Sequence, residues 1–528
     1  MIFNHSCIYY RCLLLGSSSL FLELLSFLYR ILLGRLAGPQ VMALHELVMS
    51  AYSILLSCTL TGISLSIPRL AAADLAGGRS TRIRPLIRAA LSLFLGAFLV
   101  ISVPYLWGNA FIAEHILGNS ATRKALLLVL PCLFLTGFEN IHKAYFYGAG
   151  KVMVPAASET LEMLCRIVGT AVLFTAFPGE GASGAALILW AMIFSELFSA
   201  LFMVRMFRKQ PLGDSPAPNI RRDILGIAVP IACSTLLVRL ISAADMVILP
   251  QIMLLSRESN ASAMADFGIL TGMVLPLLYF PAAFLSPLTV VLGPTLSAAK
   301  ELGQPEIIRR KAGKALHVVG LLGFPAVMVM TIWGEDLGKL LYGEIFSVEN
   351  FPGNTMLLLS LGMLAGLYHG VCESLLESLG CQKFCAVLAV SMSLLQLGMV
   401  IFLGGILQWG IKGFLWGQLL AQILGAGAAL MGLKKECRFC FQIRNWAAVP
   451  LICSLAAVSI QRHIFRKMSG LLWNTVFELT TFFLLYIILL KCFGTDFGAY
   501  TRETLFCRKP GKKRESMRKG CHRKTGVL

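Results

Sequence analysis

A succession of fourteen apolar runs limits what this chain can fold into. They fall at 12–33, 43–67, 87–107, 125–147, 155–177, 184–204, 224–249, 267–293, 315–334, 355–378, 384–404, 411–432, 446–461 and 472–492, the thirteenth being short. Most come close to the roughly 20 residues a helix needs to cross a bilayer. With 528 residues, 57% hydrophobic and 14% charged, the chain has too little polar surface to cover that apolar area as a soluble fold. The expectation is an all-α integral membrane protein with about 14 transmembrane helices.

The first two runs, within Ser17 to Leu75, read as two long helices joined by a turn at Gly38-Pro39. Glu23 and Arg30 are seven residues apart and share a helical face. Charges at membrane depth are costly, so such residues line a bundle interior or a water-filled cavity. Spacing gives Arg30 no acidic partner other than Glu23.

Basic residues set the orientation. Arg69, Arg79, Arg82, Arg84 and Arg88 follow run two; Arg205, Arg208, Lys209, Arg221 and Arg222 follow run six. Lys300, Arg309, Arg310, Lys311 and Lys314 follow run eight, and Lys434, Lys435, Arg438 and Arg444 follow run twelve. The tail after run fourteen is again basic, whereas the loop after run nine carries Glu335, Asp336, Glu344 and Glu349. Lysine and arginine collect in cytoplasmic loops, so both termini are expected in the cytoplasm of a plasma-membrane protein. Arg462, Arg466 and Lys467, between runs thirteen and fourteen, break the pattern.

The net charge of +19 lies between the spans and not on a soluble domain, which argues against a nucleic-acid partner. Attraction to anionic membrane lipid explains the tail. The fifteen cysteines are scattered, several within runs (Cys58, Cys132, Cys165, Cys233, Cys372), and form no disulfide framework. Cys437 and Cys440 make a lone CxxC without the further ligands a zinc site needs. No metal and no cofactor is expected. Glu23 and Arg30 inside the first run argue against a cleaved signal peptide.

An internal repeat is legible. Pro68-Arg-Leu-Ala-Ala-Ala leading to Gly77 recurs 226 residues later as Pro294-Thr-Leu-Ser-Ala-Ala leading to Gly303. At the same offset Trp190, Glu196 and Ala200 match Trp416, Gln422 and Ala426, and nearby Gly148 and Lys151 echo Gly380 and Lys383. Six runs separate each pair, so the copies point the same way through the membrane, related by a pseudo-two-fold axis along its normal. The expected division is a six-helix lobe (1–210), a cytoplasmic linker (211–222), a second six-helix lobe (223–433), an extra helix pair (434–493) and a basic tail (494–528). A substrate site between the lobes is the default for such an arrangement.

Further ionisable residues lie inside the runs: His45-Glu46; Glu139, His142 and Lys143; Glu159, Glu162 and Arg166; Arg239 and Asp245; and His369, Glu373 and Glu377. Glu162 and Arg166, four apart, are spaced to pair on their helix. The His369–Glu377 stripe lacks the ligands of a closed metal shell. No catalytic constellation and no phosphate-binding loop is present, so the chain does not read as an enzyme.

Five segments, in order, resemble a known family: SFLYRILLGRLAGPQ (Ser26–Gln40), AYSILLSCTLTGISLSIPRLAA (Ala51–Ala72), KAYFYGAGKVMVPAASETLE (Lys143–Glu162), GILTGMVLPLLYFP (Gly268–Pro281) and LESLGCQ (Leu376–Gln382). They are similar to the stage V sporulation protein B-like, oligosaccharide-flippase branch of the multidrug/oligosaccharidyl-lipid/polysaccharide exporter superfamily, and more broadly to lipid II flippases. The resemblance covers about the first twelve runs. It implies two lobes rocking about a central cavity, carriage of a lipid-linked saccharide, and basic residues on the first helices facing a lipid diphosphate. Arg30 falls on the matching arginine and Arg69 where a basic residue is usual. Relatives often have arginine in place of Glu23, and Tyr-Gln in place of His45-Glu46.

The resulting expectation is a transporter of lipid-linked oligosaccharides or peptidoglycan-type precursors. Arg30, Arg69, Arg239 and Glu23 are its substrate-binding residues, and Asp245, His369, Glu373 and Glu377 its ion-coupling ones. A large anionic diphosphate suits arginine as a bidentate partner. The extra helix pair is a groove for the lipid tail, and enzymes of cell-wall or polysaccharide synthesis are the implied partners. The alternatives are a cation-coupled drug exporter, which Glu23, Glu139 and Asp245 would serve, and a non-transporting scaffold for cell-wall synthesis.

Overall fold

The computed structural model describes residues 5–493 apart from 178, 216–218, 256–258, 349–350, 438–443 and 465–470. Cys440, Glu349, Arg466, Lys467 and the basic tail lie outside the described residues. Within them every regular element is helical.

α1 (His5–Leu56) is two rods broken at Gly38, where φ is 74° and ψ 171°. That backbone is open to glycine and disfavoured for other residues, and Pro39 then begins the second rod without an N–H to satisfy. The second rod widens at Ser57–Thr61 and runs on as α2 (Gly62–Ala76). The first two apolar runs are thus the helices either side of Gly38. α3 (Ile83–Phe111), α4 (Arg123–Gly148), α5 (Met153–Ala176) and α6 (Gly181–Arg208) complete the first half.

α7 (Ile220–Leu254) opens the second half. The eighth run is interrupted, as α8 (Asn260–Ile269), α9 (Leu275–Tyr279) and α10 (Ser286–Glu301). Pro276, Pro281 and Pro287 each remove a backbone donor there. α11 (Pro305–Tyr342), α12 (Thr355–Ser378), α13 (Gln382–Met399) and α14 (Ile411–Cys437) follow, then α15 (Val449–Ile464) and α16 (Leu471–Cys492).

Eleven segments are long and apolar enough to cross a bilayer, and the first of them, Gly16–Ala76, contains both rods and so two crossings. α5 is not among the eleven, and it carries Glu159, Glu162 and Arg166; α15 is not either, and it has only 16 residues. In chain order these two helices are runs five and thirteen, so each of the fourteen runs has its helix.

The repeat shows in the turns. Left-handed glycines at Gly78, Gly118, Gly150 and Gly181 recur as Gly303, Gly343, Gly380 and Gly410. Each pair sits at the same corner of its half, before or after corresponding helices. Trp190 and Trp416 are also exposed to a similar degree.

The main apolar core is continuous across both halves, running from Leu33, Met42 and Leu47 through Phe267 and Leu270 to Met363 and Leu415. A second cluster packs Ile67, Leu86, Phe94, Phe146 and Ile224 between α2, α3, α4 and the start of α7. A third joins α15 and α16 to α11 through Cys453, Phe482, Tyr486, Leu321 and Trp333. The extra pair therefore rides on α11, and the Tyr486 hydroxyl donates to the Leu321 carbonyl at 3.0 Å.

The halves meet along α1 against α8 and α10, and along α2 against α7. At the Gly38 break of α1, a methyl group on Gly268 would lie 1.9 Å from the Pro39 carbonyl oxygen. Gly272 sits on Met42, Gly34 on the Tyr342 ring, and Phe27 stacks on Phe280 at 4.2 Å. Arg35 donates to the carbonyls of Leu340 (2.8 Å) and Leu341 at the end of α11.

Candidate functional site

The densest buried chemistry lies among α4, α5 and α6. Glu139 and Lys143 are one turn apart on α4 and pair at 2.6 Å. The same ammonium reaches Glu162 at 3.4 Å and Glu159 at 3.8 Å on α5. Glu162 bonds Arg166 one turn on, as its spacing requires, and Arg166 reaches Glu196 of α6 at 3.4 Å and the Ser195 hydroxyl at 3.2 Å. Ser158 donates to Glu139 at 3.2 Å, and Ser199 donates to it as well.

Carboxylate oxygens of Glu139, Glu162 and Glu196 lie within 4.8 Å of one another, the spacing of a cation site. The Lys143 ammonium, however, already sits where a metal would bridge the first two. The buried set holds three carboxylates against two cations, a surplus of one negative charge. One oxygen of Glu196, Oε2, is buried without a hydrogen-bond partner among the described residues. Buried charge is tolerated when paired, so this orphaned oxygen is where a proton would neutralise the set.

A second group lies on α1. Arg30 pairs with Glu46 across the Gly38 break. This corrects the expectation that Glu23 is its only acidic partner: the turn brings the second rod back beside the first, a contact that spacing along one helix does not show. Among the described residues, buried His45 has no partner for Nδ1, nor have the hydroxyls of Tyr29, Thr170 and Tyr342. Helix α1 packs on α5, so this group stands beside the α4–α6 network.

The remaining expected residues are dispersed. Glu23, Arg69 and Arg239 are exposed and make no ion pair among the described residues. Asp245 accepts from Gln396 of α13 at 3.1 Å, while its other oxygen is buried with no partner among the described residues. His369 lies against Gly425 with Nε2 unpartnered; Glu373 is half-buried and Glu377 exposed, and neither makes an ion pair among the described residues. His142 turns from Lys143 to the Phe138 carbonyl and the Phe207 ring. Sequence reasoning missed Glu196 as a charged member of the network, although the Trp190–Glu196–Ala200 repeat match drew attention to that helix. It also missed Glu46 as the partner of Arg30.

Residues 15–172 match the MatE family model. The chain is 22% identical to stage V sporulation protein B of Bacillus subtilis (strain 168) over 473 residues, covering 86% of this chain and 89% of that protein. Among solved structures it is similar to lipid II flippase MurJ in an inward closed conformation, with a TM-score of 0.68, 14% identity, and 91% of this chain and 98% of that one covered. An inward-facing multidrug resistance MATE transporter of the MOP superfamily gives a TM-score of 0.64 and 16% identity, covering 81% and 98%.

Proposed function

For a multi-pass membrane protein homologous to stage V sporulation protein B and folded like the transporters of the multidrug/oligosaccharidyl-lipid/polysaccharide exporter superfamily, we propose that it moves a lipid-linked oligosaccharide or peptidoglycan-type precursor across the cytoplasmic membrane by alternating access. The moving bodies are the two six-helix lobes, α1–α6 and α7–α14. In this structure the lobes touch at two levels, α1 on α8 and on the end of α11 near the Gly38 break, and α2 on α7 at Gly62, so alternating access requires these seams to part in turn. A charged sugar headgroup cannot cross roughly 30 Å of hydrocarbon unaided, and a hydrated cavity removes that barrier without altering the substrate.

Arg239 is the observation that carries this reading. It lies in the middle of α7, exposed, with no counter-ion among the described residues. An arginine at that depth requires water or an anion beside it. Arg30, still partly exposed beside Glu46, and Arg69 at the cytoplasmic end of α2 extend the cationic path. Of the acidic residues a drug exporter would use, Glu139 is held by Lys143, and Asp245 accepts from Gln396 through one of its two carboxylate oxygens. Only Glu23 is left exposed.

Coupling falls first to a proton at Glu196, with Asp245, His369, Glu373 and Glu377 as further sites. Purified protein reconstituted with a diphosphate-linked glycolipid is expected to expose the headgroup on the opposite face. Arg239→Ala should abolish this movement, and Arg239→Lys should restore it only in part, since an ammonium lacks the planar fork. Efflux of cationic dyes without glycolipid movement would overturn the reading.

A further inference from the structure

The seam between the second rod of α1, α2 and α7 is in backbone contact at one level and open at another. A methyl group on Gly62 would lie 2.2 Å from the Ala228 carbonyl oxygen. About three turns toward the outer face, the same rod and α7 stand apart around a cavity of about 500 Å³, in the size range of ligand pockets. Small side chains make the space: Ser50 and Ala51 on one helix, Ala243 and Ala244 on the other. The end of α3 closes the third side.

Its wall offers no hydrogen bonds. The Ser50 hydroxyl is turned onto the Leu47 carbonyl at 2.7 Å, and the Tyr105 hydroxyl onto the Leu126 carbonyl at 3.0 Å. The other lining side chains are aliphatic. Water needs two or more polar partners, so it is a poor occupant and hydrocarbon a good one. At the rim Ile116 is 48% and Leu240 45% exposed, so the cavity is open there, on the side that the expected orientation assigns to the outer leaflet. Arg239, exposed and without an ion-pair partner among the described residues, lies four residues before the lining Ala243 and so on the same face of α7, one turn from the cavity toward the level of Gly62.

We infer that this cavity seats the hydrocarbon chain of the lipid-linked substrate while its anionic headgroup lies at Arg239. The inference rests on the flippase reading and adds to it a place for the chain on the α1–α7 seam, away from α15 and α16. Because both halves line the cavity, an occupied seat disappears or reshapes when they move against each other, so chain release accompanies the change of access.

The test uses the full-length protein in proteoliposomes with a diazirine-bearing polyprenyl diphosphate as photoprobe, and identifies the labelled peptides. Labelling is expected on the segments containing Ala51 and Ala243–Ala244. Unlabelled polyprenyl diphosphate should compete and excess phosphatidylglycerol should not. Ala244→Trp should cut labelling about tenfold, the loss expected when contacts of two methylene groups are removed. Val103→Trp, on an exposed face of α3, should leave it unchanged. Ala51→Leu gives a milder filling if the tryptophan variant fails to fold. Equal competition by phosphatidylglycerol would overturn the inference. So would an unlabelled cavity in vesicles that do flip a diphosphate glycolipid, and that result would leave the transport reading standing. Specific labelling of a protein that flips nothing would support the seat and count against the function.

Discussion

Replacing Lys143 by methionine removes the cation on which three carboxylates converge, at 2.6, 3.4 and 3.8 Å, and keeps most of the side-chain volume. Both Lys143 and Glu139 are nearly inaccessible, at 8% and 1% side-chain exposure. Removing one partner of a buried ion pair costs about 3–5 kcal/mol, because the other charge stays behind. Here the surplus negative charge rises from one to two, and proton uptake by a carboxylate places the expected loss near the lower bound, about 3 kcal/mol. Glu139→Gln has the opposite sign of charge change and leaves Lys143 with Glu159 and Glu162, so its cost should be about 1 kcal/mol. The double variant restores the original surplus and should be at least about 1 kcal/mol more stable than the sum of the single changes implies. Reversible unfolding of purified protein in mixed micelles, followed by tryptophan fluorescence, measures all three. A Lys143→Met variant within about 0.5 kcal/mol of the parent, the scatter of neutral surface changes, would refute the network as a stability element. So would strictly additive effects.

Glu196→Gln is expected to be neutral or stabilising, because the amide removes the surplus charge while its oxygen still accepts from Arg166; loss of proton-coupled transport with unchanged stability would mark Glu196 as the coupling group. Gly62→Leu should force α2 from α7, since even its Cβ meets the Ala228 carbonyl oxygen at 2.2 Å; spin-label distances across that seam should lengthen. Arg30→Gln and Glu46→Gln should each destabilise, and the pair together should do so by less than their sum, by about 1 kcal/mol in a partly exposed site. Cysteines placed at Arg84 and Arg310 in a cysteine-free background should resist an impermeant thiol reagent in intact cells, and ready labelling of both would invert the assigned orientation.

The helices were legible because their signal is local. Each apolar run had to bury its backbone polar groups in itself, and the Gly38-Pro39 break and the Glu162–Arg166 pair are written in spacing along one strand of chain. What escaped was contact between helices. Glu46 lies 16 residues from Arg30 and meets it because a turn folds one rod back on the other. Glu196 meets Arg166 across two helices, and nothing in a lone glutamate within an apolar run separates a network member from an isolated charge. The closed seams were equally hidden. Gly62 and Gly268 read as ordinary glycines of apolar helices, and only the opposing carbonyl oxygens explain them.

The paired left-handed glycines also allow the two halves to be laid residue on residue. Gly150 and Gly380 fix an offset of 230 for the helices on either side of them. On that offset Glu139 falls on His369, Lys143 on Glu373, Glu162 on Met392 and Arg166 on Gln396, while the Gly181–Gly410 pair, an offset of 229, places Glu196 on Gly425. One copy of the scaffold concentrates fixed charge at its centre; in the other the same positions hold a histidine, a thioether, an amide, a glycine and one half-buried carboxylate. A duplicated frame has thus kept its corners and divided its labour. On the proposed transport reading, coupling would fall to the charged centre, and the second copy would act as the bearing against which the first turns. That reading predicts one coupling event per cycle, where a symmetric pair of centres would give two.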